Sequence, residues 1–265
     1  APGPECRALL RQGRHYGSIT GDFTGDGRID LLAGDGYDET VLMSVLEGGV
    51  LRNEARYLTG GVYPRALDLD QDGSLEIVAE GVGAGALAVT RPGPGGLRAP
   101  RTIVTAGFGE VLAAGDVNGD GRRDLVMSHR ISGPFVSVLL GTGPGDFLPP
   151  FTVALTREAR ALALGDLDGD GYDDLVAGSL PSDGFHLEVL LGSSSGQLTH
   201  QADMNNGSGT AIYGRGLALA DMDRDGDLDV VTSTFGPLSV LSNRGDATFD
   251  PPLMSGAGSG AVEAI

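Results

Sequence analysis

Apolar residues along this chain fall in short runs separated by glycine-rich and acidic stretches, not at helical spacing. One order recurs five times. A run of small and apolar residues comes first: Gly17 to Gly21, Tyr63 to Leu67, Val111 to Gly115, Ala161 to Gly165 and Gly216 to Ala220. An acidic segment follows, and then a β-type run at Leu31-Leu32, Ile77-Val78, Leu125-Val126-Met127, Leu175-Val176 and Val230-Val231. After a polar gap comes a further apolar run, at Val41 to Leu46, Ala86 to Thr90, Val136 to Leu140, Leu187 to Leu191 and Leu238 to Leu241. Each run has the length and composition of a strand. Turns rich in glycine and proline, such as Arg91 to Gly96 and Gly141 to Gly145, lead on to a weaker fourth strand. No amphipathic helix is expected.

The first aspartates of the acidic segments, Asp22, Asp68, Asp116, Asp166 and Asp221, step by 46, 48, 50 and 55 residues. Four short strands per period of that length is the arithmetic of a β-propeller blade. The spacing therefore predicts an all-β propeller of four-stranded blades, a single domain over 1–265 with repeats starting near 15, 62, 110, 159 and 214. First strands would line the central channel, where the small side chains of Ala113, Ala114, Ala161, Ala163 and Ala218 fit. Gly260 to Ile265 reads as the start of a further channel strand and Cys6 to Arg11 as an outer strand of a preceding blade. Five blades with strand fragments at both ends predict a segment of a six- or seven-bladed propeller, closure by pairing the terminal strands, or self-assembly through them.

Composition narrows the classes of function. The 265 residues carry 36 acidic side chains against 18 basic ones, all arginine, for a formal charge of -18. Such a surface repels nucleic-acid phosphates and anionic lipid, so neither is an expected partner. With 40% hydrophobic residues the chain can bury a core and is not expected to be disordered. No apolar stretch approaches the length of a membrane-spanning helix, and no basic, apolar leader opens the sequence, so any secretion signal is expected to have been removed. The one cysteine, Cys6, allows no internal disulfide.

The chemistry lies in the acidic segments. DFTGDGRID (Asp22 to Asp30), DLDQDGSLE (Asp68 to Glu76), DVNGDGRRD (Asp116 to Asp124), DLDGDGYDD (Asp166 to Asp174) and DMDRDGDLD (Asp221 to Asp229) share one pattern. Oxygen-bearing side chains stand at positions 1, 3 and 5, glycine at 6 and a carboxylate at 9. Carboxylates crowded this closely repel one another unless a hard cation with oxygen ligands sits among them. Glycine at position 6 permits the sharp reversal that returns the last ligand. Calcium suits such a flexible set of six or seven oxygens better than magnesium, which demands a strict octahedron. An EF-hand loop closes with a carboxylate at position 12, but here position 12 is Ala33, Ala79, Met127, Ala177 and Thr232. That motif is rejected.

The stretch Gly165 to Gly178 (GDLDGDGYDDLVAG), with Phe108-Gly109 ahead of Gly115 to Asp124, resembles the FG-GAP repeats of integrin α-chain propellers. Ala220 to Thr232 and Leu241 to Phe249 (LSNRGDATF) resemble the VCBS-type repeats of bacterial secreted and surface proteins. The resemblance implies one calcium per loop, held by the side chains at 1, 3, 5 and 9 and the carbonyl at 7. Carried over, the ligands are Asp22, Thr24, Asp26 and Asp30; Asp68, Asp70, Asp72 and Glu76; Asp116, Asn118, Asp120 and Asp124; Asp166, Asp168, Asp170 and Asp174; and Asp221, Asp223, Asp225 and Asp229. The carbonyls are those of Arg28, Ser74, Arg122, Tyr172 and Asp227. Thr24 makes the first site the weakest and Glu76 makes the second the most irregular. These sets hold 18 of the 36 acids, and five calcium ions would bring the formal charge to about -8, ordinary for a soluble domain.

Other features receive structural readings. Arg244-Gly245-Asp246 spells an integrin-recognition tripeptide but falls inside the LSNRGDATF turn. His15, His129, His186 and His200 share no spacing with one another or with a nucleophile, and Cys6 reads as an unpaired residue near a chain end. Tyr37, Tyr57 and Tyr213 are candidates for stacking on sugars, a thin case in the absence of tryptophan. Three functions fit: a non-catalytic, calcium-stabilised interaction or adhesion module binding protein or glycan on a propeller face; a lectin; and a polysaccharide-acting enzyme, for which Glu80, Glu110, Glu158 and Asp183 lie outside the loops but form no pattern. Because weak calcium sites fill only at extracellular concentrations, the expected setting is outside the cell, secreted or at the surface of a bacterium.

Overall fold

In the computed structural model, residues 15–23, 26–35, 40–47, 50–58, 63–80, 85–93, 96–130, 133–143, 145–179, 186–205, 216–233 and 238–255 are described. They are all β-structure and turns, with no helix among them. The terminal fragments 1–14 and 256–265, as well as Tyr37, Asp183 and Tyr213, lie outside the described residues.

The chain divides into two compact units, Ala1–Gly109 and Glu110–Ile265. In the first unit, β1 (His15–Gly21), β2 (Asp30–Asp35), β3 (Thr40–Glu47) and β4 (Val50–Leu58) form a four-stranded sheet in sequence order. β5 (Tyr63–Leu67), β6 (Glu76–Glu80) and β7 (Ala86–Thr90) begin the second sheet. A short hairpin of β8 (Pro92–Gly93) and β9 (Gly96–Leu97) intervenes before β10 (Arg101–Val104) completes it. The second unit holds three more such sheets. β11 (Phe108–Gly115), β12 (Asp124–Arg130) and β13 (Phe135–Leu139) are followed by the hairpin β14 (Gly141–Gly143) and β15 (Asp146–Phe147), and then by β16 (Phe151–Ala154). β17 (Ala159–Gly165), β18 (Asp174–Ser179), β19 (His186–Leu191) and β20 (Thr199–Asn205) make the fourth sheet. β21 (Leu217–Ala220), β22 (Asp229–Thr232), β23 (Ser239–Leu241) and β24 (Leu253–Met254) make the fifth.

The four-strand count per repeat and the order of strands within each sheet are those the sequence pattern predicts. The glycine-proline turns expected at Arg91 to Gly96 and Gly141 to Gly145 contain the two short hairpins.

The second strand of the fourth sheet reads as an unbroken apolar run because both of its faces are covered. Every residue of β18 is buried, and its side chains alternate between two cores. Leu175 and Ala177 join Val126, Val136 and Val138 of the third sheet, while Val176 joins Val230 and Leu241 of the fifth. A strand sandwiched in this way cannot show the polar alternation of a half-exposed strand. In the first unit Phe23 and Leu32 pack with Ile77, Ala79 and Ala88 in one core. First strands of consecutive sheets adjoin: β1 packs against β5 in the first unit, and β17 against β21 in the second.

Candidate functional site

Each of the five acidic segments is the connection between the first and second strands of its sheet. One network of side-chain-to-backbone hydrogen bonds shapes them all. The carboxylate at position 1 accepts the N–H of glycine 6: Gly27 to Asp22 at 2.8 Å, Gly73 to Asp68 at 3.1 Å, Gly121 to Asp116 at 2.7 Å, Gly171 to Asp166 at 3.0 Å and Gly226 to Asp221 at 3.3 Å. In the last four loops the oxygen at position 3 accepts the N–H of position 5: Asp72 to Asp70 at 3.3 Å, Asp120 to Asn118 at 3.0 Å, Asp170 to Asp168 at 3.2 Å and Asp225 to Asp223 at 3.2 Å. Position 5 in turn accepts the N–H of position 7, from Arg28, Ser74, Arg122, Tyr172 and Asp227, at 2.7 to 3.0 Å. These are successive Asx-turns, the local geometry Asp and Asn favour. Thr24 lies outside the described residues.

Glycine 6 takes φ of 79° at Gly27, 87° at Gly73, 82° at Gly121, 88° at Gly171 and 101° at Gly226. Nothing lies within 4 Å of where a Cβ would stand at any of them. Glycine is therefore required by the backbone angle and not by lack of room.

Position 9 behaves differently from the other acids. Asp30, Glu76, Asp124, Asp174 and Asp229 open their second strands and are all buried, between 0% and 2% exposed. Each accepts the N–H of position 2: Phe23 at 2.8 Å, Leu69 at 2.9 Å, Val117 at 3.0 Å, Leu167 at 2.9 Å and Met222 at 2.8 Å. In the second unit the other oxygen accepts an N–H from just beyond the third strand, that of Gly141, Gly192 or Asn243, at 2.7, 2.7 and 2.8 Å. The last acid of the motif thus ties the loop to its own sheet. Burial pushes Asp124 and Asp174 up to about 6, against the pull of their backbone donors, with the neighbouring loop aspartates adding to the rise.

Three loops bring carboxylate oxygens within 4.8 Å of one another: Asp68, Asp70 and Glu76; Asp166, Asp168 and Asp174; Asp221, Asp223 and Asp225. Partial burial first, and then the Asp170 charge, push the Asp168 carboxyl up. The donor set is oxygen only, which fits a hard divalent cation such as calcium. In the third loop the Arg122 guanidinium approaches Asp120 at 3.3 Å, and in the first the Arg28 guanidinium lies 3.9 Å from Asp26.

The sequence reading missed contacts that join one loop to the next. Asp173, at position 8 of the fourth loop, accepts the Asp116 N–H at 2.7 Å. Its own N–H donates to the Asp116 carbonyl at 2.9 Å. The Ser193 N–H donates to the Val117 carbonyl at 3.2 Å, and the Ala247 N–H to the Leu167 carbonyl at 3.1 Å. Nothing in the motif marks position 8, which is Ile29, Leu75, Arg123, Asp173 and Leu228 in the five copies.

Residues outside the loops sort differently from the expectation in one respect. His186 and His200, which share no sequence spacing, meet at a single carboxylate, Asp203, at 3.0 and 3.3 Å. His129 is buried beside Phe135 with Nε2 2.8 Å from the Ser137 hydroxyl. Arg244 is held by Asp250 and Asp246 caps Thr248, so both charged side chains of the Arg-Gly-Asp tripeptide serve their own turn. Glu158 lies 3.4 Å from the Arg160 guanidinium, and Glu80 and Glu110 stand on β6 and β11.

Residues 116–177 match the family model of the FG-GAP-like repeat, and residues 159–197 that of the FG-GAP repeat. The third and fourth repeats are thus FG-GAP repeats, and the resemblance drawn from GDLDGDGYDDLVAG is to the right family. No curated protein matches the chain. Among solved structures, a lectin of Agrocybe aegerita described as recognising non-reducing terminal N-acetylglucosamine is similar, with 20% identity and a TM-score of 0.58 over 93% of this chain and 67% of the lectin. The biofilm matrix protein Bap1 of V. cholerae is similar with 18% identity and a TM-score of 0.54, over 92% of this chain. This chain spans 40% of the length of that matrix protein. At these identities the likeness is one of fold.

Proposed function

We propose that this chain is a calcium-stabilised β-propeller module that acts by binding a glycan or protein ligand outside the cell, without catalysis of its own. The observation that carries the reading is the five-fold recurrence of one oxygen-rich loop at the same place in five sheets, with three carboxylates converging in three of the copies. Antiparallel four-stranded sheets packed face to face, with the fourth covered by the third on one side and the fifth on the other, are also what blades provide. Calcium would supply positive charge that relieves carboxylate repulsion, and its binding free energy would become folding free energy. The ligand oxygens would be those at positions 1, 3 and 5, with position 9 shared between the ion and the second strand, and the carbonyls of Arg28, Ser74, Arg122, Tyr172 and Asp227. The similar lectin and biofilm matrix protein support an interaction role over a catalytic one.

The test is thermal unfolding in excess calcium and in chelator, with metal content by mass spectrometry. About one calcium per loop and a large fall in melting temperature on chelation are expected. No bound calcium and no shift would remove the metal from the reading. Glycan-array binding that disappears with chelator would assign the ligand class; turnover of an acidic polysaccharide would overturn the non-catalytic role.

A further inference from the structure

We propose that Glu188, His200 and Asp203 form a metal site of a second kind, for a divalent transition ion of the zinc class, on the outer hairpin of the fourth sheet, with His186 as the outer partner that holds Asp203. β19 carries His186 and Glu188 two residues apart, hence on one face. In the β19–β20 register Glu188 stands directly opposite Asp203. Two carboxylates facing across an antiparallel pair repel unless a positive charge joins them. The register shifts between Val189 and Leu190, leaving Gln201 as an extra residue beside His200. Such a bulge re-aims side chains, and here His200 reaches the group that His186 approaches from the other side.

The distances fit three ligands of a tetrahedral site with the fourth position open, and His186 pairs with Asp203 from outside that group. His186 Nε2 lies 3.0 Å from Asp203 Oδ1, His200 Nε2 lies 3.3 Å from the same oxygen, and His200 Nε2 lies 4.0 Å from Glu188 Oε1. Ligands about 2.0 to 2.1 Å from a zinc ion stand roughly 3.3 Å from one another at tetrahedral angles. The ligand atoms of Glu188, His200 and Asp203 all fall within 4.8 Å of one another.

The second observation is the setting of Glu188. Its side chain is only 4% exposed, yet it is aimed at the cluster. Thr156, in the segment between β16 and β17, donates its N–H and its hydroxyl to Glu188 Oε2, both at 2.8 Å. That leaves Oε1 as the oxygen toward His200. A carboxylate oriented in this way by outer donors is the arrangement metal sites use to fix their ligands. Imidazole with carboxylate suits zinc, cobalt or nickel, whereas the all-oxygen loops suit calcium. His200 and Asp203 remain 45% and 41% exposed, so an ion can enter from solvent.

The experiment is a titration of the whole chain in saturating calcium with Zn2+ by calorimetry and with Co2+ by visible absorption. One equivalent of zinc is expected, together with cobalt bands of tetrahedral intensity. His200→Ala and His186→Ala should each weaken zinc at least tenfold, and Thr156→Val should weaken it by roughly 10-fold or more as an outer-shell change. Val104→Ala, at an exposed position of β10, should leave zinc affinity unchanged. Melting in calcium checks that the variants are folded, and Thr156→Val removes the hydroxyl that orients Glu188 while leaving every metal ligand in place. Absence of zinc binding up to millimolar concentration, or equal affinity in a His186→Ala/His200→Ala double variant, overturns the proposal.

Discussion

At the scale of single residues the loops contain an unusual strain that the sequence only half displays. In the four loops where position 4 is described, it is left-handed as well as position 6. Gly119 and Gly169 meet that requirement freely with φ of 69° and 75°, but Gln71 and Arg224 occupy it at 59° and 67°. A side chain in that region costs about 1–2 kcal/mol, partly offset by the roughly 0.5–1 kcal/mol of extra chain entropy glycine would lose on folding. Arg224→Gly should therefore stabilise the calcium-bound chain by about 0.5–1 kcal/mol in thermal unfolding. The Arg224 N–H bond to Asp221 at 2.6 Å survives the change, since Gly169 makes the same bond to Asp166 at 2.8 Å. Gly121→Ala is the matched control: the site has open space but φ of 82°, so it should lose about 1 kcal/mol or more. If both substitutions shift stability in the same direction, the loop conformation is misassigned.

At the scale of elements, strand order was legible because buried strands are continuous apolar runs. Leu125-Val126-Met127 and Leu175-Val176 each begin one residue after a buried acid, and the acid marks the strand start. The loops were legible because nine-residue copies stand in one frame. Two things were not. A carboxylate at position 9 looks like any other ligand, and only the paired N–H donors of Val117 and Gly141 show that Asp124 also ties the loop to the sheet. The meeting of His186 and His200 depends on a bulge in β20, which no spacing rule encodes. Coupling between loops was equally hidden, and it carries a prediction. Asp173→Ala leaves the half-buried Asp116 N–H without its acceptor, so about 1 kcal/mol should be lost, while Asp173→Asn, which keeps an oxygen, should recover most of it. Asp116 opens the third loop, so calcium affinity there should fall as well. A double-mutant cycle of Asp173→Ala with Asp120→Ala should show a coupling above about 0.5 kcal/mol; simple additivity would mean that the third and fourth loops act independently.

At the scale of the whole molecule the question is how a chain of charge -18 stays folded when half its acids are packed into five turns. Without a cation, protons are the remaining way to neutralise the buried acids. Asp124 and Asp174 ionise near 6 in the folded chain and near 3.8 when unfolded. Between those values the folded chain holds protons that the unfolded chain has released, so stability falls as pH rises. The contribution of each is fully present below about 3.8 and is lost as pH passes through about 6, with a size on the order of 2–3 kcal/mol. In chelator the protein should therefore melt at a higher temperature at pH 5 than at pH 7.5. Calcium bound as proposed would replace those protons, so in saturating calcium the slope should vanish or reverse, and calcium affinity should weaken below about pH 6 where protons compete. Asp124→Asn should roughly halve the slope of the chelator profile, because an amide at that position carries no charge to neutralise, and Asp124→Asn with Asp174→Asn should flatten it. A chelator profile that is level between pH 5 and 7.5, or one that calcium leaves unaltered, would mean the buried acids are satisfied by their backbone donors alone and need no ion.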